Sequence, residues 1–178
     1  MSWIYRSALG QDHHRFVKDD KGKRPLILAG VDIPGPALEG NSDADVVFHA
    51  LCNAISGLSS KNFLGPPADK FCNKGVIDSK EYVIVAIQDL KKLRPGMEFI
   101  HLSVSIEGKR PKLWDHIPRM KKSLSELLNV PLQDIGLTAT TGEGLTGMGQ
   151  GDGLACLCLL TIREPEHRDP DRGSTLPE

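Results

Sequence analysis

NSDADVVFHALCNAISG, residues 41–57, is where helical spacing first becomes plain: Val46, Ala50, Leu51 and Ala54 share one face, and Gly57 ends the run. Ser42 stands as a candidate N-cap, with Asp45 three residues on as its capping-box partner. Yet the stretch sets Asp43, Asp45 and His49 among its apolar residues, and a helix brings Asp45 and His49 onto one face, one turn apart. One account is local: the acids complement the positive helix N-terminus and His49 is a satisfied core histidine. The other is that this face holds a ligand.

The elements around this helix follow from punctuation. WIYRSALG (3–10) and PLILAG (25–30) read as strands, joined through the charged KDDKGKR (18–24), and a hairpin between them is expected. GLSSKNFLGPPADKFCNKG (57–75) shows no periodicity and reads as a long loop. A second helix has Asp78 as N-cap, Glu81 at its third position, Val83, Ala86, Ile87 and Leu90 on one face, and Pro95-Gly96 as its stop. FIHLSVSIEG (99–108) alternates as a half-buried strand, and a third helix begins near Pro118 with Met120, Leu124, Leu127 and Leu128 on one side. IGLTAT (135–140) and GLACLCLLTI (153–162) read as strands joined by a glycine-rich turn. The order β-β-α-α-β-α-β-β predicts an α/β or α+β layered fold, with helices on one face of a mixed sheet.

A chain of 178 residues, 39% hydrophobic and 25% charged, has enough material for one domain around one core, expected over 1–163. Residues 164–178 are rich in proline and charge and read as a flexible tail. A formal net charge of -1 provides no field to gather nucleic acid or an anionic membrane surface. MSWIYRSALGQDHH has neither a basic n-region nor an apolar h-region, and no apolar run reaches membrane-spanning length, so a cytoplasmic protein is expected. Cys52, Cys72, Cys156 and Cys158 lack C-x-x-C spacing and read as reduced thiols.

Three stretches carry chemistry. In GQDHHRF (10–16), Asp12 and His14 are two residues apart and project to one side of a strand, with His13 on the other. Together with a distant His49 they offer one carboxylate and two imidazoles, the ligand set of a zinc ion with an open position; spacing leaves their convergence open. TATTGEGLTGMGQGDG (138–153) has six glycines from Gly142 to Gly153, hydroxyls at Thr140 and Thr141, and Glu143, which suits a hard cation such as magnesium beside phosphates. The alternative there is a tightly packed turn, and the pattern fits neither G-x-G-x-x-G nor a P-loop. Lys109, Arg110 and Lys112 in GKRPKLW (108–114) read first as a solvated basic turn.

Taken in order, D-x-H at 12–14, S-D-A-D-x-x-x-H at 42–49, K-G-x-x-D-S at 74–79, R-P-K at 110–112 and T-A-T-T-x-E at 138–143 resemble one family. It is the 2-C-methyl-D-erythritol 2,4-cyclodiphosphate synthases, the cyclising lyases of the non-mevalonate isoprenoid pathway, and the likeness runs from about residue 4 to 163. The resemblance implies that the 2-phosphate of 4-diphosphocytidyl-2-C-methyl-D-erythritol 2-phosphate attacks its own β-phosphorus and expels CMP. It implies zinc on Asp12, His14 and His49, magnesium or manganese on Glu143, and catalytic roles at Asn41 and Thr141. Substrate contacts are implied at Asp12, His14, Asn41, Ser42, Phe63, Gly65, Gly108, Lys112, Leu113, Ala139, Thr140, Thr141, Gly147 and Gln150. Asp45, with Asp43, would cap the helix or orient a ligand histidine.

The resemblance further implies a homotrimer whose sheets surround a central channel, with each active site between neighbouring subunits. Leu154, Cys156, Cys158 and Leu160 would then face one way and Ala155, Leu157 and Leu159 the other, one face lining the channel. The chain departs from the family pattern at Asn41 (usually histidine), Asn53 and Phe63 (usually aspartates), Gln150 (usually arginine) and PPADKFC (66–72), where the family has an acidic loop. Two other functions fit the same residues. A zinc phosphohydrolase would release inorganic phosphate. A non-enzymatic trimer that binds a nucleotide or isoprenoid diphosphate would return its ligand unchanged.

Overall fold

A strand apolar on both faces belongs in a sheet interior, and GLACLCLLTI is found there. The computed structural model describes residues 2–18 and 24–166. In chain order its elements are β1 (Trp3–Arg15), β2 (Leu26–Leu28), β3 (Val31–Ile33), α1 (Val46–Ser59), α2 (Pro66–Cys72), α3 (Ser79–Leu93), β4 (Glu98–Glu107), α4 (Ile117–Leu128), β5 (Ile135–Thr140), α5 (Gly147–Gln150) and β6 (Gly153–Pro165). The main sheet has the order β1-β6-β4-β5; β6 pairs antiparallel with both neighbours, and β4 and β5 are parallel. Leu154, Cys156, Cys158, Leu160 and Ile162 point into the core, while Leu157 and Leu159 stay 45% and 43% exposed on the other face.

The expected pairing of 3–10 with 25–30 does not occur. Residues 26–28 turn back at once through Ala29 and Gly30, whose φ of 52° and 72° give the left-handed pair that a two-residue hairpin needs, and they pair with β3. β1 instead zips along β6 over its full length, from Trp3 opposite Pro165 to Arg15 opposite Gly153. Thirteen residues of ladder outweigh three.

α1 lies across β1 and β6 with α3 behind it, and α4 covers β5 on the same side. The contact of α1 with β1 is close enough to dictate Gly10, since a β-carbon there would sit 2.0 Å from the carbonyl oxygen of Ala50. α1 begins at Val46, later than expected, because Asp45 is the N-cap: its carboxylate accepts from the N–H groups of Val47 and Phe48. Ser42 lies outside the helix, so the expected capping box is absent. α3 keeps its expected cap, Asp78, which accepts from Lys80 N.

The expected loop at 57–75 contains α2, opened by Pro66 at its first turn. Ala68, Phe71 and Cys72 pack half-buried against the core, one short apolar face that seven residues cannot display as a repeat. β6 also runs beyond the expected limit at 163. Glu164 is buried and bonded to Arg6 Nε at 2.6 Å and Arg94 Nη1 at 3.0 Å, which ties β6 to β1 and to the end of α3. Residues 19–23 of the charged connection and 167–178 of the expected tail lie outside the described residues.

Candidate metal and phosphate site

The strand alternation that sends His13 to the exposed face sends Asp12 and His14 toward α1, where His49 meets them. Asp12 Oδ2 lies 2.8 Å from His14 Nε2 and 3.0 Å from His49 Nδ1, and the two ring nitrogens are 3.0 Å apart. Ligand atoms of a tetrahedral zinc with bonds near 2.0–2.1 Å stand about 3.3 Å from one another, so these three need to part by only a few tenths of an ångström. One carboxylate and two imidazoles, all half-buried or buried, fit a divalent cation. Among the described residues this is the one such cluster of metal-binding side chains.

The electrostatics reinforce the grouping. Burial works against the Asp12 carboxylate, but the hydrogen bonds from His14 and His49 outweigh it and hold the carboxyl well below its ordinary range. Burial likewise opposes charge on His14, yet Asp12 and a hydrogen bond to the Glu39 backbone raise its pKa. Asp12 is thus held in its anionic form, and a cation is its natural complement.

The two acids of the opening stretch have separate tasks. Asp45 does not meet His49 through its side chain; it accepts from Ala29 N at 2.9 Å, Gly30 N at 2.7 Å and the first turn of α1, pinning the β2–β3 turn to the helix. Burial pushes its pKa up to about 6 against the pull of those N–H groups. Asp45 thus occupies the Val47 and Phe48 N–H groups at the start of α1. Asp43 is the acid linked to His49. It accepts from the hydroxyl and the N–H of Ser79, and Ser79 Oγ is 2.9 Å from His49 Nε2.

The expected site residues gather in two cavities. Asp12, His14, Asn41, Ser42, His49 and Gly65 line one of about 240 Å³, together with Leu64, Asp69, Cys72 and Tyr82. Gly108, Lys112, Leu113, Ala139, Thr140 and Thr141 line another of about 330 Å³, with Trp114 at its mouth. Glu143, Gly147 and Gln150 belong to the glycine-rich turn outside both linings; Thr141 Oγ1 donates to Glu143 Oε1 at 3.0 Å, and Gln150 Nε2 donates to Gly144 O. Phe63 packs half-buried on the core, and Asn53 Nδ2 donates to Gln11 O, tying α1 to β1. Arg110 stacks on Phe16, its guanidinium 5.2 Å from the ring centre.

Both cavities lie at the end of the sheet where β6 starts, but by β1 and β5, the two edges. Three inter-strand steps separate those edges, roughly 14 Å. Ser79, Asp69, Cys72 and Tyr82 were not expected as site residues. The K-G-x-x-D-S turn held the signal for Ser79, whereas Asp69 and Cys72 depend on α2, which the sequence hid. The cysteines are free; burial pushes Cys52 and Cys158 up to about 12, so they are thiols, and Cys72 Sγ sits 3.0 Å from Tyr82 Oη.

Comparison with known proteins gives a consistent picture. The family described as the YgbB family matches residues 5–163. The 2-C-methyl-D-erythritol 2,4-cyclodiphosphate synthase of Chlamydia trachomatis serovar A is 50% identical over 164 residues, covering 91% of this chain and 90% of that protein. The synthase of the same name from Chlamydia muridarum is 46% identical over the same coverage. Among solved structures, the bifunctional IspDF of Campylobacter jejuni superposes with a TM-score of 0.80 at 30% identity, over 93% of this chain and 44% of that one. A 2C-methyl-D-erythritol-2,4-cyclodiphosphate synthase in its CDP-bound form matches with a TM-score of 0.71 at 28% identity, over 88% of this chain and 99% of that one.

Proposed function

The chain belongs to the YgbB family, and we propose that it converts 4-diphosphocytidyl-2-C-methyl-D-erythritol 2-phosphate into 2-C-methyl-D-erythritol 2,4-cyclodiphosphate and CMP. The observation that carries this is the convergence of Asp12 Oδ2, His14 Nε2 and His49 Nδ1 beside a cavity, in a chain half identical to cyclodiphosphate synthases. An oxygen of the 2-phosphate forms a bond to the β-phosphorus, the bond from that phosphorus to the α–β bridging oxygen breaks, and CMP leaves with that oxygen. No water and no enzyme nucleophile take part. The protein's work is therefore positioning and neutralisation of charge.

Asp12, His14 and His49 hold zinc and Glu143 holds magnesium or manganese; when bound, these cations supply Lewis-acid withdrawal of charge from the phosphates. The rest falls to the chain itself. Gly108, Leu113 and Ala139 wall the cavity for the cytosine, and Lys112 contributes a positive charge to the phosphates. The hydroxyls of Thr140 and Thr141 donate to phosphate oxygens, with Thr141 at the reacting centre. Asn41, exposed at the edge of the other cavity, donates a hydrogen bond but carries no charge, unlike the usual histidine. Ser42, Phe63, Gly65, Gly147 and Gln150 complete the substrate contacts.

A homotrimer explains the two cavities. Cyclic head-to-tail packing sets the β1 edge of one subunit against the β5 edge of the next, so that a metal half and a nucleotide half from different chains form one site. The exposed Tyr5, Leu9, Leu157 and Leu159 then face the trimer's central channel. No helix among the described residues is long and apolar enough to cross a membrane, and we place the enzyme in the cytoplasm, as one domain that extends through the end of β6 at Pro165. Incubation of purified protein with the CDP-linked substrate tests the function: CMP appears without inorganic phosphate, and chelator stops it. Phosphate release would instead mark a phosphohydrolase, and recovery of intact substrate a binding protein.

A further inference from the structure

We infer that Ser79 and Asp43 form a polarised relay that sets the tautomer of His49 and so readies its Nδ1 for a metal; both are positioning residues, and the inference rests on the metal reading above. His49 has two faces. Nδ1 points to Asp12 and His14, while Nε2 points away from them, toward Ser79 Oγ at 2.9 Å and Ser42 Oγ at 3.4 Å. Ser79 is fully buried, at the first position of α3, and its hydroxyl also contacts Asp43 Oδ1.

Proton counting decides the polarity. A carboxylate only accepts, so the single hydroxyl proton of Ser79 goes to Asp43. The Ser79 oxygen then has only lone pairs to offer His49, and Nε2 must carry a ring proton. Asp12 Oδ2 also only accepts, so in the absence of a metal Nδ1 shares a proton with it; with Nε2 already protonated, that Nδ1 proton is the one a metal displaces, leaving the Nδ1 lone pair aimed at the space shared with Asp12 Oδ2 and His14 Nε2. Ser42 Oγ is the longer contact to Nε2, 3.4 Å against 2.9 Å for Ser79, and the Ser79 oxygen lies 3.3 Å from it as a second polar neighbour. Two further bonds hold the relay in place: Ser79 N donates to Asp43 Oδ2 at 3.2 Å and Asp43 N donates to Ile77 O at 2.8 Å. The start of α3 is thereby fastened to the loop before α1, and Tyr82, one turn further on, stacks beside the His49 ring.

Asp43→Asn inverts the relay at the loss of one backbone bond, the one that Oδ1 accepts from Asp45 N at 3.2 Å, while its oxygen still accepts from Ser79 N. The amide donates to Ser79, the Ser79 hydroxyl turns to donate to His49 Nε2, and the one ring proton left is on Nδ1, where it competes with a metal. Zinc affinity, measured by chelator competition on the whole protein, should fall about 10–100-fold in Asp43→Asn and in Ser79→Ala, and return to within a few-fold of wild type in Ser79→Thr, which keeps the hydroxyl. Nitrogen-15 NMR of His49 in the metal-free protein should show Nε2 protonated in wild type and unprotonated in Asp43→Asn. A purely structural role predicts a lower melting temperature with unchanged zinc affinity below it and an unchanged tautomer; either unchanged value in Asp43→Asn overturns the relay. If wild type binds no zinc, the metal reading and the relay fall together; if it binds zinc and the variants match it, only the relay falls.

Discussion

Asp12 and His14 were legible because a strand repeats every two residues, and His49 because its helix is strongly periodic. What the sequence withheld was their meeting, which needs β1 to pair with β6 and α1 to lie across both. Asp45 illustrates the limit: helical spacing put it on the face of His49, but its carboxylate turns back to Ala29 and Gly30, partners that belong to another element. The acid that does reach His49 is Asp43, through Ser79, a link made only when α3 docks. His49→Ala should abolish CMP release and cost at least about 100-fold in zinc affinity, with the fold intact by circular dichroism. Titration calorimetry giving wild-type zinc binding would remove His49 from the site. Glu143→Gln should raise the magnesium or manganese concentration needed for half-maximal rate several-fold, with the zinc content of the protein unchanged. An unaltered divalent-ion curve would remove Glu143 from that role.

Caps and stops marked α3, α4, β4, β5 and β6 well, since each carries its own signal within a dozen residues. The hairpin expected between 3–10 and 25–30 failed because pairing is decided by the best available partner, and β6 lies at the far end of the chain, with Arg15 opposite Gly153 and Trp3 opposite Pro165. α2 failed because one buried face of a seven-residue helix has no second turn to repeat it. At Gly10 a side chain has no room between β1 and α1, so Gly10→Ala should cost about 3 kcal/mol or more, read as a lowered denaturation midpoint at unchanged slope. Glu164, first expected in a tail, joins β6 to Arg6 and Arg94. Burial opposes its charge, but the bonds from Arg6 and Arg94 prevail and lower its pKa below the ordinary 4.5. Its folded value is thus below its unfolded one, so its contribution is full above about pH 4.5 and is lost as pH falls through the folded value. Glu164→Gln should therefore cost about 1–3 kcal/mol at pH 7, and the gap from wild type should narrow below pH 4.5. A pH-independent gap in urea melts would contradict this.

The chain folds as one layered sheet with its helices on one side, leaving Tyr5, Leu9, Leu157 and Leu159 exposed on the other; β6, apolar on both faces, does not by itself say which face the helices cover. The separation of the metal and nucleotide cavities was not readable, because strand order, not sequence order, puts β1 and β5 at opposite edges. If neighbouring subunits complete one another's sites, two inactive chains can rescue each other. Co-expressed His49→Ala and Lys112→Ala chains, mixing at random in a closed ring, should recover roughly a quarter of wild-type sites. No recovery from mixed trimers would mean that each chain holds its own site. The same account depends throughout on a cation held jointly by β1 and α1. Anomalous diffraction at the zinc edge, from crystals grown with zinc, tests it most directly: a peak bonded to Asp12 Oδ2, His14 Nε2 and His49 Nδ1 is predicted, and zinc absent from these three atoms would contradict it.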